Sequence, residues 1–284
     1  MNLGRVGVWW SGSWSAESDP SLDVAREMEA LGYGTIWSSG GFNAGLSSRF
    51  GRILSSTSRI AVASGIVNIW KATPADIAEA VTALEALHPE RFLLGLGASH
   101  GPVIPEYKRP YSTMVEYLDA LDDIAPSVPK ERRVLAALGS RMLELAAERA
   151  VGAHPYFVPV EHTAFARRVM GDGPLLAPEL TVVLETDPER ARTLARTFTA
   201  LYLTLPNYTD NLRRLGFGED DVAGAGSARL VDAVVAWGDP EAIASRVREH
   251  YEAGADHVCL QVVGGGSGFP LEEYRQLAAV LLGG

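Results

Sequence analysis

A run of small residues that ends a short apolar segment is the first candidate for chemistry. Residues 92–96 are typical of a buried strand, and Gly97, Ala98, Ser99 and His100 follow directly. Small side chains at a strand end let a flat ligand approach the backbone. The glycines could equally relieve crowding between packed strands. His100 is of a type that exchanges a proton near neutral pH.

A second candidate is the turn that joins another apolar segment to a helical pattern. It runs from Leu138 through Gly139, Ser140 and Arg141 to Met142. Backbone N–H groups at the beginning of a helix, beside a hydroxyl and a guanidinium, suit a phosphate group. An ordinary glycine turn with an N-capping serine explains the same residues, so both interpretations stay open.

A third group ends the strand-like segment at residues 59–67. It comprises Ser64, Gly65, Ile66 and the following Asn68. Small residues here allow a backbone bulge behind a flat ring. Tryptophans cluster near the ends of the first three strand-like segments, which favours an aromatic-lined pocket.

Five of the six histidines fall into two groups by position, and the sixth, His257, begins the eighth predicted strand and is expected to be structural. His100 and His154 follow predicted strands, whereas His88, His162 and His250 lie on or beside helices and are expected to be solvated. Histidine, cysteine and acidic residues do not occur with the spacing of a metal site. The sequence therefore argues against a metal-dependent hydrolase and predicts no bound metal.

These residues are positioned by strand-like segments that alternate with amphipathic helices from end to end. Eight such units predict an α/β fold, a (β/α)8 TIM barrel of one domain over residues 1–284, with a helical insertion near 207–236 before the last strand. A doubly wound sheet also alternates, but no Gly-x-Gly-x-x-Gly follows the first strand. The predicted strands are residues 5–10, 35–37, 59–67, 92–96, 133–138, 152–154, 179–184 and 257–262.

Composition limits the partners. Lys and Arg number 25 against 35 Asp and Glu, and the resulting net charge of −10 disfavours nucleic acid. The sequence has no apolar run of membrane-spanning length and no signal-peptide pattern at its beginning. With Cys259 as its one cysteine, it can form no internal disulfide. We expect a cytoplasmic protein that binds no membrane and acts on a small molecule.

Several segments together resemble the luciferase-like monooxygenase superfamily, and within it the coenzyme F420-dependent oxidoreductases. They are residues 31–37, 63–67, 88–97, 138–146 and 152–155. They follow one another in the order and spacing of the family and span most of the chain. The block from residue 63 to residue 97 is the most specific part.

The resemblance implies a deazaflavin ring against the ends of the third and fourth strands, with hydride transfer to or from a small organic substrate. It also implies a non-proline cis peptide at Gly65-Ile66, a phosphate-binding turn at residues 139–142 and a homodimer. The implied cofactor-binding residues are Ser64, Gly65, Ile66, Asn68, Gly97, Ala98, Ser99, Leu138, Gly139, Ser140, Arg141, Met142 and His154.

One departure from the family affects the mechanism. Several relatives carry an acidic residue and a histidine after the second strand, where this sequence has Gly40 and Gly41. His100 is our candidate catalytic residue in their place, with Glu106 as another. Two further functions stay open: an FMN-dependent luciferase-like monooxygenase, and a barrel that binds a flavin or deazaflavin without catalysis.

Overall fold

The strands form from short, largely apolar segments. The computed structural model describes residues 1–10, 19–39, 46–264 and 268–283, with the backbone alone for residues 19 and 20. Almost every strand position is buried, as expected where helices cover a parallel sheet. The strands are β1 (Val6–Trp10), β2 (Thr35–Ser38), β3 (Ala61–Ser64), β4 (Val67–Asn68), β5 (Phe92–Gly97), β6 (Arg133–Leu135), β7 (Gly152–Ala153), β8 (Leu175–Leu176), β9 (Glu179–Val183), β10 (Val235–Trp237) and β11 (Val258–Val262).

Helices follow most strands, and several begin at a recognisable cap. The Thr73 side chain accepts a hydrogen bond from the Asp76 N–H, with Pro74 in the first turn, as the sequence predicted. Asp187 and Asp239 cap two later helices in the same way. The helices are α1 (Asp19–Ala30), α2 (Leu46–Ser56), α3 (Pro74–Leu87), α4 (Pro110–Asp123), α5 (Ser140–Arg149), α6 (Val160–Met170), α7 (Pro188–Tyr202), α8 (Pro206–Arg214), α9 (Glu219–Val222), α10 (Ala228–Val234), α11 (Pro240–Glu252) and α12 (Leu271–Leu281).

The strands form one parallel sheet that closes on itself. From β1 the sheet runs through β2, β3, β5, β6 and β7 to β8 on one side and through β11 to β9 on the other. Only Ala177 and Pro178 separate β8 from β9. The Ala177 N–H donates to Ala153 O at 2.9 Å, and the Cys259 N–H donates to Pro178 O at 2.9 Å. Because this stretch bonds neighbours on both edges, the sheet is a barrel, and the predicted α/β fold is confirmed.

Two strand predictions needed correction. The third predicted strand is divided into β3 and β4 by the cis peptide Gly65-Ile66, which confirms the predicted cis bond. The segment 207–236 was predicted to hold only helices and loop, but it ends in β10, which pairs with β9. A three-residue strand is too short to show a periodic pattern. It forms by pairing with the edge of β9 that β11 does not occupy.

Two histidines are buried rather than solvated. His162 and His250 are both 0% exposed, because they lie on the faces where α6 and α11 pack together. His162 Nε2 donates to Leu138 O at 2.9 Å, and His250 Nδ1 bonds the Thr163 hydroxyl at 2.9 Å. The expectation that both rings are solvated was therefore wrong.

Helices pack their apolar faces on the outside of the barrel and form its main hydrophobic core. Within the stretches given above, every helix is too short or too polar to cross a bilayer.

Candidate functional site

A cavity of about 560 Å3 opens where the barrel strands end. It lies at their carboxyl ends, because its walls come from the last residues of β1 and from the segments that follow β2, β3, β5, β6 and β7. A cavity of this size suits a small molecule or cofactor. The described lining residues are Trp9, Trp10, Ser39, Gly65, Ile66, Ala98, Ser99, His100, Val103, Tyr107, Pro110, Ala136, Ala137, Leu138, Met142, His154, Tyr156, Tyr202, Leu205, Asn207 and Tyr208.

One wall consists of small residues that the close packing of the backbone requires. A Cβ on Gly65 would lie 2.0 Å from the Trp9 ring, and one on Gly97 would lie 2.7 Å from the Ile66 side chain. Gly97 therefore belongs behind the wall, while Ala98 and Ser99 line the cavity. The crowding interpretation therefore holds for Gly97, whereas contact of a flat ligand with Ala98 and Ser99 stays a prediction.

Two predicted cofactor residues lie behind this wall. The Ser64 hydroxyl is buried, accepts the Gly95 N–H at 2.8 Å and donates to Gly95 O at 3.1 Å. Asn68 is 3% exposed, and its Oδ1 accepts the Trp70 N–H at 3.0 Å. Its Nδ2 has no partner among the described residues, which leaves a buried donor available.

The floor of the cavity is an aromatic stack around His154. The imidazole lies 4.1 Å from the Trp37 ring and 5.6 Å from the Trp9 ring, nearly parallel to both. His154 Nδ1 donates to Ala177 O at 2.6 Å, whereas Nε2 has no partner within the described part of the chain. Burial lowers the pKa of His154 to about 4, so the ring is neutral at pH 7 and Nε2 is an acceptor.

A tyrosine pair forms a polar edge of the same cavity. The Tyr156 hydroxyl donates to Gln261 Oε1 at 2.6 Å and lies 2.9 Å from the Tyr202 hydroxyl. The Tyr202 proton therefore points to Tyr156, and the Tyr202 oxygen retains a lone pair for a ligand. Burial raises the pKa of both hydroxyls, so neither ionises near pH 7.

The predicted phosphate turn begins α5 as expected. Gly139 is the N-cap residue and has extended backbone, and its helix has no side-chain cap, which leaves first-turn N–H groups for a ligand. Ser140 and Arg141 are exposed, and the Arg141 guanidinium lies 4.0 Å from the centre of the Tyr111 ring. The guanidinium of Arg214 lies 3.3 Å from where a Cβ on Gly139 would be.

Arg214 is a candidate site residue that the sequence did not reveal. It belongs to α8, and no local motif marks it. Its side chain also contacts Asn211 Oδ1, at 3.3 Å. Together with Arg141 and the N–H groups at the beginning of α5, it makes this turn suitable for an anion.

The two proton-transfer candidates are in different environments. His100 lines the cavity, with Nδ1 2.8 Å from Asn207 Oδ1 and its ring 5.0 Å from the Tyr208 ring. Burial lowers the pKa of His100, which the Asn207 bond partly offsets. Glu106 instead lies on the surface, 3.8 Å from Lys71. Gly40 and Gly41 lie outside the described residues.

The titratable groups among the described residues of the cavity lining are imidazoles and phenols. Among the described lining residues there is no carboxylate, ammonium or guanidinium group. No group of three or more His, Cys, Asp or Glu within the described ranges could hold a metal ion. The cationic side chains Arg141 and Arg214 lie instead at the turn before α5.

Comparison with known proteins identifies one family and several solved structures of similar fold. A family model described as luciferase-like monooxygenase matches residues 11–257. No curated protein matches the chain. Among solved structures, an F420-dependent secondary alcohol dehydrogenase in complex with an F420-acetone adduct is 14% identical over 98% of both chains, with a TM-score of 0.75.

Two other solved structures are similar over nearly their whole length. The coenzyme F420-dependent tetrahydromethanopterin reductase from Methanopyrus kandleri is 15% identical over 97% of this chain and 96% of its own, with a TM-score of 0.70. The FMN-bound oxygenating constituent of 3,6-diketocamphane monooxygenase from Pseudomonas putida is 15% identical over 99% and 98%, with a TM-score of 0.71. At such identities the likeness shows a shared fold.

Proposed function

The chain belongs to the luciferase-like monooxygenase family, and from this premise we propose that it is a coenzyme F420-dependent oxidoreductase. It transfers a hydride between the deazaflavin and a small organic substrate. Two similar structures are of proteins named as F420-dependent, which supports this choice of cofactor. The observation that carries the proposal is one cavity with a small-residue wall and, beside it, a helix beginning without a side-chain cap.

The described residues fit such a cofactor. Gly65, Ile66 and Ala98 provide a wall without bulky polar groups, against which a flat ring can lie. The turn at residues 139–142 holds the phosphate with its first-turn N–H groups, and Arg141 and Arg214 neutralise the charge. His154 lines the cavity, and its unpartnered Nε2 is a further polar group available to a ligand.

The bound deazaflavin supplies or accepts the hydride, and the protein provides orientation and proton transfer. His100 is the lining group suited to exchange a proton with the substrate. Burial holds His154 neutral, and it keeps the phenols of Tyr156 and Tyr208 protonated. The aromatic residues of the cavity exclude water from the reacting atoms.

Binding titration of the purified protein tests the proposal. Oxidised coenzyme F420 and FMN are titrated separately, and bound ligand is followed by absorbance and fluorescence. We expect saturable, one-to-one binding of coenzyme F420 at least tenfold tighter than that of FMN, or about 1.4 kcal/mol. Tighter binding of FMN would contradict the choice of cofactor.

An FMN-dependent monooxygenase is the second candidate, supported by the similar structure that holds FMN. The same wall and turn suit the ring and phosphate of FMN. Oxygen consumption with reduced FMN distinguishes this function, since hydride exchange with coenzyme F420 consumes no oxygen. Binding of either cofactor without turnover of any reducible or oxidisable substrate would support the non-catalytic barrel.

The homodimer stays a prediction that sedimentation analysis can test.

A further inference from the structure

Asn207 is a polar residue of the cavity to which the sequence gave no role. It is the second residue of α8, in the inserted segment, and its half-buried side chain lines the cavity. Its Oδ1 lies 2.8 Å from His100 Nδ1. The next residue, Tyr208, packs its ring 5.0 Å from the imidazole. The beginning of α8 therefore holds the His100 ring in one orientation.

The contact between Asn207 Oδ1 and His100 Nδ1 also determines which ring nitrogen of His100 carries the hydrogen. An amide oxygen only accepts hydrogen bonds, so His100 Nδ1 must carry a hydrogen to donate. A neutral imidazole carries one ring hydrogen, and Nε2 then has a free lone pair. Nε2 is the ring nitrogen left for a ligand, because Asn207 occupies Nδ1.

We propose that Asn207 is a positioning residue that leaves His100 Nε2 free to accept a proton, and that the site oxidises an uncharged alcohol. This inference rests on the proposed function, because the hydride acceptor is the oxidised deazaflavin. Burial favours neutral His100, which is the form that can accept a proton. The other imidazole of the lining, His154, has Nδ1 engaged by Ala177 O and lies in the floor stack.

The lining defines the substrate class. Its described residues are mostly aromatic or aliphatic, and none carries a carboxylate, an ammonium or a guanidinium. A charged substrate would lose its hydration there without gaining an ion pair, which is costly. An aromatic or aliphatic alcohol loses only the hydration of one hydroxyl. That hydroxyl can donate a hydrogen bond to His100 Nε2. It needs no cationic partner, and the described lining offers none.

The proposed step is balanced. The O–H bond breaks, and its proton goes to His100 Nε2. The carbinol C–H bond breaks, and its hydrogen leaves with both electrons to the oxidised deazaflavin while the C=O bond forms. The alcohol is oxidised by two electrons to an aldehyde or ketone, the deazaflavin is reduced, and His100 later releases the proton to water.

Nitrogen NMR of the imidazoles tests the positioning role without any cofactor. In 15N-histidine-labelled protein, we expect His100 to show a protonated Nδ1 and a bare Nε2. Asn207→Leu removes the acceptor and should abolish this single tautomer, whereas Asn207→Asp keeps an acceptor and should retain it. Asp210→Asn, on the exposed side of the same helix, should leave the His100 signals unchanged. A hydrogen on Nε2 in the wild type would overturn the proposal.

Kinetics with oxidised coenzyme F420 provides the second readout. We expect Asn207→Leu to lower kcat on the order of tenfold while the cofactor Kd stays unchanged. Asn207→Asp should move the acidic limb of the pH–rate profile to higher pH, because a carboxylate stabilises the imidazolium. The titratable neighbours Tyr107 and Tyr208 stay protonated, since burial raises the pKa of each. Glu106 and Lys71 form an ion pair with each other outside the described cavity lining. Unchanged kcat in Asn207→Leu would overturn the positioning role.

A matched substrate pair tests the substrate class. Benzyl alcohol and 2-propanol are compared with mandelate and lactate, which add a carboxylate, and reduction of the deazaflavin is followed by its loss of absorbance. Turnover of the uncharged alcohols alone supports the inference. Turnover of the carboxylates, or of neither group by protein that binds coenzyme F420, would overturn the substrate class. Failure to bind coenzyme F420 would instead reject the proposed function and leave the NMR result valid.

Discussion

At the scale of single residues, His100 combines a strand-end position with a distant contact. The sequence predicts its place after β5, and the structure puts it in the cavity lining. Its partner Asn207 lies 107 positions later in the chain. Sequence patterns report local spacing, so they could predict the position of His100 but not the contact that orients it.

Replacement of His100 tests its role in proton transfer. His100→Gln removes the titratable ring while keeping a polar side chain of similar reach. If His100 exchanges the proton, we expect turnover to fall on the order of 100-fold, with cofactor affinity retained. The limb of the pH–rate profile that reports the imidazole should also disappear.

His88→Gln is the matched control, since His88 lies at the C-terminal end of α3, outside the described cavity lining. It should leave turnover and the pH profile unchanged. A parallel loss of affinity and turnover in His100→Gln would make His100 a binding residue. If His100→Gln lowers neither the cofactor affinity nor the turnover, the proton is exchanged with solvent and not with His100.

At the scale of secondary-structure elements, two helices, α5 and α8, contribute residues to the site. The sequence predicts α5 and its glycine turn, because the strand, turn and helix patterns are contiguous. It does not predict that α8 brings Asn207 to His100 and Arg214 to Gly139. Both contacts depend on how α8 packs against the barrel, which local periodicity does not encode. The missed strand β10 has the same origin.

The beginning of α5 can be tested with two substitutions at one position. Gly139 has φ near −92°, so both alanine and aspartate fit its backbone. Gly139→Asp places a carboxylate at the anion site, and we expect coenzyme F420 affinity to fall at least tenfold, about 1.4 kcal/mol. Gly139→Ala adds only a Cβ, 3.3 Å from the flexible end of Arg214, and should reduce affinity much less.

Titration of both variants by deazaflavin fluorescence, with the wild type alongside, measures the difference. Circular dichroism spectra of the two variants check that α5 is intact. Equal affinity of Gly139→Asp and the wild type for coenzyme F420 would contradict the assignment of the phosphate site to this turn.

At the scale of the whole molecule, the barrel buries titratable groups that the sequence placed near the surface. Apolar patterning and the alternation of strands and helices predict a closed α/β barrel. The burial of His162 and His250 follows from the packing of α6 on α11, which is a property of the assembled fold. His257 is also buried, between the Trp37 N–H and Gly4 O. Barrel closure therefore determines the charge states of these rings.

We expect these rings to make the protein sensitive to acid. Burial lowers the pKa of His250 to about 3 and those of His154, His162 and His257 to about 4, against 6.5 for an exposed ring. The unfolded chain therefore binds protons below pH 6.5 that the folded chain does not. The free energy of unfolding should fall as the pH drops from about 6.5 to about 4.

Glu179 acts in the opposite sense. Burial raises its pKa to about 7, so its contribution to stability is full below about pH 4.5 and is lost as the pH rises through 7. Four imidazoles outweigh one carboxyl, so the net effect in acid is destabilising. Urea unfolding midpoints between pH 7 and pH 4.5 measure it, and His250→Gln should flatten the profile. A midpoint that stays constant over this range would contradict the assignment of neutral buried rings.

We propose that a deazaflavin occupies the cavity with its ring on the small-residue wall and its phosphate at the turn before α5. A crystal structure of the protein soaked with oxidised coenzyme F420 tests this binding mode. We expect density for the ring against Gly65 and Ile66, with the phosphate beside Gly139, Arg141 and Arg214. Density for the cofactor elsewhere, or a cavity that stays empty at saturating coenzyme F420, would contradict it.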